Sequence, residues 1–94
     1  MNFRYSEAKN DALIEQRGIG FDEIIDEIDK GSIMGIVEHA NKSKYPNQKI
    51  IHVLYMQKIY CVPYAQEPDG VFFLKTLYPS RKATKYYLQT IQIA

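Results

Sequence analysis

The hydrophobic period of this chain changes from helical to extended near residue 32, and that change points to a fold in which helices precede a sheet. Before the change, Phe21, Ile24, Ile25 and Ile28 fall at i, i+3, i+4 and i+7, with Asp22, Glu23, Asp26, Glu27 and Asp29 on the remaining positions. This spacing places the apolar side chains on one stripe of a helix that ends at Lys30-Gly31, and leaves an acidic face that is either solvated or a seat for the basic half of the chain. An earlier helix spans residues 7–16, where Ala8, Ala12 and Leu13 recur at helical spacing between an N-cap at Ser6 and a stop at Gly18. A short extended piece, residues 3–5, leads into it.

From Ser32 onward, runs rich in β-branched and aromatic residues predict strands over 33–39, 50–56, 58–64 and 71–78. The connection at Gln57 is short enough to require a hairpin, and Gln66-Glu67-Pro68-Asp69-Gly70 carries turn chemistry, so the last three strands form an antiparallel meander. Pro63 has no N–H to give to a ladder, which predicts a strand edge or a bulge at that point. Strict alternation over 71–78 sets Val71, Phe73, Lys75 and Leu77 on one face and Phe72, Leu74, Thr76 and Tyr78 on the other. Ser80, following Pro79, is placed to cap a closing helix. The fold class is therefore α+β: two N-terminal helices, an antiparallel sheet of about four strands and a C-terminal helix. Residues 89–94 read either as an extra short strand or as a ragged end.

Ninety-four residues make one domain, 1–94, that buries roughly 60–65% of its unfolded surface. No stretch approaches the roughly 18 apolar residues of a membrane span, and charged residues rather than an apolar run follow the start, so the expected location is the cytoplasm. The single cysteine, Cys61, reads as a buried thiol, since no cation or histidine adjoins it in sequence. Gly18-Ile19-Gly20 lies between helices rather than after a strand and is no phosphate loop. His39, His52 and Cys61 lack metal-ligand spacing, and no nucleophile-elbow motif occurs. No metal and no cofactor are expected.

Charge is distributed unevenly. Residues 1–40 hold four cations against nine anions, a balance of −5, whereas residues 41–94 hold eight cations against two anions, a balance of +6. Either the halves attract each other, or the second half presents a polyanion-binding surface. Arg81, Lys82 and Lys85 fall in the first turns of the closing helix, where cations oppose the macrodipole, so an anion held nearby would account for them. Lys75 interrupts an apolar stripe just before, and either snorkels at a sheet border or stands on an open face. The loop 41–49, with Lys42 and Lys44, is a solvated connection or part of the same surface. Of the eight tyrosines, those in the strands either close the core or offer faces for bases to stack on.

Three segments carry a resemblance. Phe3-Arg4-Tyr5-Ser6-Glu7-Ala8-Lys9-Asn10, Arg17-Gly18-Ile19-Gly20-Phe21-Asp22-Glu23 and Ser80-Arg81-Lys82-Ala83-Thr84-Lys85 together resemble the BrnT-like toxins of bacterial type II toxin-antitoxin modules. That resemblance implies a RelE-like fold and a metal-independent ribonuclease that halts translation. It also implies a ribbon-helix-helix antitoxin that blocks the toxin and binds operator DNA. Where that family often has a histidine before the glycine of the second segment, this chain has Arg17.

Metal-independent RNA cleavage needs a base for the 2′-hydroxyl, cations for the developing charge and an acid for the leaving oxygen. Arg81, Lys82, Lys85 and Lys75 are the candidate cations; His39 and His52 are the candidate bases by intrinsic pKa, although a lone histidine in a strand is more often a structural residue. Lys9 and Arg17, from the matched segments, and Lys42, Lys44 and Lys58 are candidate RNA contacts. The rival reading is a module that binds nucleic acid or an acidic protein without catalysis.

Overall fold

Each helix begins where a side chain can satisfy its first free N–H groups. The structure, a computed structural model, describes residues 1–93, with side chains described as far as Gln89. Ser6 Oγ accepts the Lys9 N–H at 3.2 Å and opens α1 (Glu7–Arg17), which stops at Gly18 in the left-handed region. The Glu23 carboxylate accepts the Gly20 N–H at 3.0 Å at the start of α2 (Phe21–Asp29), and Asn10 Oδ1 accepts the Phe21 N–H at 2.7 Å, which ties the two helices together. Ser80 Oγ accepts the Ala83 N–H at 3.1 Å and opens α3 (Arg81–Ile93). This helix takes in residues 89–93, correcting the expectation of a strand or ragged end there; Ala94 lies outside the described residues.

Six strands form one mixed sheet: β1 (Phe3–Tyr5), β2 (Ile33–Glu38), β3 (Gln48–Tyr55), β4 (Lys58–Gln66), β5 (Phe72–Leu74) and β6 (Tyr78–Pro79). Their order is β1-β5-β4-β3-β2, with β6 also on β4. The sequence reading of an antiparallel sheet of about four strands is corrected in two places. First, β1 runs parallel to β5, with Phe3 opposite Phe72 and Tyr5 opposite Leu74. Second, the strand read over 71–78 is two strands. Tyr64 pairs with Leu74 and Cys61 with Tyr78, so residues 75–77 face only residues 62–63.

Pro63 causes that break: its carbonyl accepts the Lys75 N–H at 2.8 Å, but it has no N–H to return. The extra residue rotates the chain, and Leu77 enters the core beside Leu74, at 0% and 1% exposure, instead of sharing the face of Lys75. The β3–β4 hairpin turns through Met56 and Gln57, both at positive φ (51° and 64°), a geometry that glycine and asparagine adopt more easily.

The sheet's two faces have different covers. Leu13, Ile19, Phe21, Ile24 and Ile28 from the α1–α2 side pack on Ile51, Val53, Val62, Tyr64, Leu74 and Leu77. Each such side chain removed from water contributes roughly 1.5–3 kcal/mol. The opposite face, with Gly35, His52 and Ile59, receives α3. Among the described residues no helix is long and apolar enough to cross a membrane.

Candidate functional site

Thr84 fixes α3 to the sheet. Its hydroxyl donates to the Ser80 carbonyl at 2.6 Å and accepts the Ile59 N–H at 2.8 Å, so the helix start is held against the beginning of β4. Three cavities then follow one another along β4 on this face. The first, about 470 Å³, is lined by Lys58, Arg81 and Lys85 with Pro79, Ser80 and Thr84. The second, about 390 Å³, shares Ser80 and adds Lys82, His52, Cys61 and Tyr87. The third, about 420 Å³, is lined by His39, Lys75 and Tyr78 among others.

Alternation explains this sequence of cavities. Cys61 and Pro63 are two residues apart on β4, and Val37 of β2 stands two residues before His39, which follows that strand's end, so the second and third cavities lie side by side. Lys58 falls outside this alternation, with the parity of Tyr60, Val62 and Tyr64, but at the strand's first position it lines the first cavity. Charge is unbalanced along this row of cavities. Among the described residues the ion pairs are Arg4 with Glu67 and Asp69, and Lys30 with Glu27. None of them engages Lys58, Lys75, Arg81, Lys82 or Lys85, so the acidic N-terminal half does not neutralise these five.

At the centre, His52 Nδ1 and Tyr87 Oη lie 2.8 Å apart. Room for this contact comes from Gly35, which is opposite His52 on β2: a Cβ there would meet the Tyr87 hydroxyl at 2.8 Å. Burial pushes the His52 pKa down and the Tyr87 pKa up, which leaves a neutral imidazole against a protonated phenol at pH 7. Cys61, across from His52, has its thiol pushed up by burial, partly offset by hydrogen bonds with Ser80 and Tyr78. A thiol in that state is a poor nucleophile.

The other imidazole is committed to its own loop. His39 Nδ1 accepts the Asn41 N–H at 3.1 Å, and its ring lies 4.6 Å from that of Tyr45. The candidate residues therefore divide into groups. Lys58 joins Arg81 and Lys85; His52 joins Lys82; His39 joins Lys75. Lys42 and Lys44 belong to the exposed loop beside the third cavity, with Lys44 Nζ 5.3 Å from the centre of the Tyr45 ring. Lys9 and Arg17 are carried by α1, on the opposite side of the sheet, and the structure does not bring them to this row.

Tyr87 and Gly35 were not legible as functional positions, because 35 residues separate Tyr87 from His52 and no local pattern links them. Among the described residues no group of three His, Cys, Asp or Glu side chains is arranged to hold a metal ion. Comparison with protein-family models, with curated proteins and with solved structures gave no match.

Proposed function

We propose that this chain is the toxin of a type II toxin-antitoxin module, with a BrnT-like form of the RelE-like fold, and that it cleaves RNA without a metal and thereby inhibits translation. One observation carries the reading: unpaired cations line both ends of a row of cavities whose centre holds a neutral histidine. Lys58, Arg81 and Lys85 would hold a backbone phosphate. The unbonded amides at the start of α3 add to that field.

His52 is the base in this scheme. With its Nδ1–H donated to the Tyr87 oxygen, Nε2 has a lone pair for the ribose 2′-hydroxyl. The 2′-oxygen bonds to phosphorus, the P–O5′ bond breaks, and the products are a 2′,3′-cyclic phosphate and a 5′-hydroxyl. Lys82, lining the same cavity, stabilises the charge on phosphorus and can supply the leaving oxygen's proton. His39, whose Nδ1 is bonded to a backbone N–H, is the less suitable base.

The antitoxin in this reading is a ribbon-helix-helix protein that covers the cationic row and takes the pair to operator DNA. Expressing the chain alone in bacteria tests the proposal: growth arrest with fragmented RNA is expected, and its relief by Arg81→Ala. Arrest with intact RNA would remove the nuclease assignment. A second reading, a non-catalytic binding module, rests on β2, an edge strand with Ile36 and Val37 43% and 41% exposed, where a partner chain could add a strand. Absence of any arrest, with retained RNA or protein binding, would favour it.

A further inference from the structure

We propose that the third cavity binds one unstacked base of a single-stranded RNA. Such a site rests on the reading that RNA crosses this face, and it gives that RNA a sequence-bearing contact as well as phosphate contacts. Three properties of the cavity select a base over other occupants.

The walls are flat. His39, Tyr45, Pro63 and Tyr78 line the cavity, and the His39 and Tyr45 rings are already paired at 4.6 Å with 41° between their planes. Planar walls suit a planar ligand, and single-stranded RNA is recognised chiefly through bases splayed onto aromatic and imidazole rings. Hydrogen-bonding capacity is also left over. Gln48 and Thr76 line the same cavity, both half-buried, and neither side chain makes a hydrogen bond with another described residue. An amide offers two donors and an acceptor, and a hydroxyl offers both roles, which together can read a base edge.

Charge supplies the third property. Lys75 lines the cavity with its ammonium 4.6 Å from the Phe73 ring centre, Lys44 stands beside Tyr45, and no carboxylate lines the site. A nucleotide satisfies all three properties at once: a ring, polar edges and an adjacent negative charge. Its position fits as well. One two-residue step along β4, from Cys61 to Pro63, separates this cavity from the one holding His52, a rise of about 7 Å. A base seated here would therefore set which phosphodiester lies over the imidazole.

Binding of a short, fluorescently labelled 2′-O-methyl RNA, which cannot undergo 2′-attack, compared with an abasic oligomer of the same length, tests the proposal. The intact chain should bind the base-bearing oligomer tighter by roughly 5- to 150-fold, the worth of stacking one base. Tyr45→Ala should abolish most of that preference without weakening the abasic oligomer, while Tyr45→Phe should preserve it. Equal affinity for both oligomers, still lost in high salt, would overturn the base site and leave the phosphate-binding reading standing. A preference that survives Tyr45→Ala would likewise overturn it, since the base would then sit elsewhere. Failure to bind either oligomer would overturn both.

Discussion

The two faces of the sheet are made from the same strands but differ in nearly every physical respect. Toward α1 and α2, Ile51, Val53 and Val62 are fully buried in an apolar layer. Toward α3, the intervening residues His52, Cys61 and Pro63 border cavities and stand among hydroxyls, rings and unpaired cations. Alternation thus separates the residues that stabilise the molecule from those available for chemistry, one residue apart along each strand. The open face carries the three cavities that follow one another along β4.

The largest effect should come from the closed face. Phe21→Ala would leave a void among Leu13, Tyr5 and Ile24-side neighbours and lower stability by about 3–5 kcal/mol, read from the denaturant midpoint. A loss near zero would show that the core lies elsewhere. On the open face, Arg81→Ala should lower the proposed RNA cleavage roughly 100- to 1,000-fold with the midpoint unmoved. Should the midpoint fall with activity, the separation of the faces would fail.

Smaller effects probe the seam between α3 and the sheet. Gly35→Ala brings a methyl group against the Tyr87 hydroxyl and should cost about 1–2 kcal/mol. Tyr87→Phe removes the bond to His52 and should cost about 1 kcal/mol. The double variant should cost less than the sum, because the phenylalanine removes the atom that clashes. Strict additivity in a thermal or denaturant series would mean that Tyr87 is not where the clash arises. Replacing Met56-Gln57 by Asn-Gly relieves positive φ at a turn belonging to neither face, and should add up to about 1 kcal/mol without changing cleavage.

The smallest effect is in pH. Burial lowers the His52 pKa below its ordinary 6.5 in the folded chain, so above that value both folded and unfolded chains hold a neutral imidazole and nothing is lost. As pH falls through 6.5 the unfolded chain takes up its proton first, and stability declines until the folded pKa is passed. His52→Gln should flatten the melting temperature over that interval. An unchanged slope would place the titration in another group.

Local chemistry made part of this structure readable from the residues. Ser6, Gly18 and Ser80 mark helix ends because capping acts within a turn, and Pro63 marks the bulge because its missing donor is a property of the residue itself. The meander followed from short connections. Hidden were the features that depend on distant partners. Residues 3–5 carry no sign that they pair in parallel with 72–74, and Leu77 changes face only because of what Pro63 does across the ladder. The candidate site was legible as charge, through Arg81, Lys82 and Lys85. Its division into a cationic end, a histidine centre and an aromatic end required the topology, as did the placement of Lys9 and Arg17 on the far side.

The pairing of β1 with β5 also has a consequence for synthesis. During synthesis β1 must wait, edge unpartnered, until residues 72–74 have emerged, and α3 follows them. Such distant pairing slows folding. A nascent chain accordingly has neither its completed sheet nor the helix that bears Arg81, Lys82 and Lys85 until those residues have emerged, so the row of cavities along β4 forms late in folding.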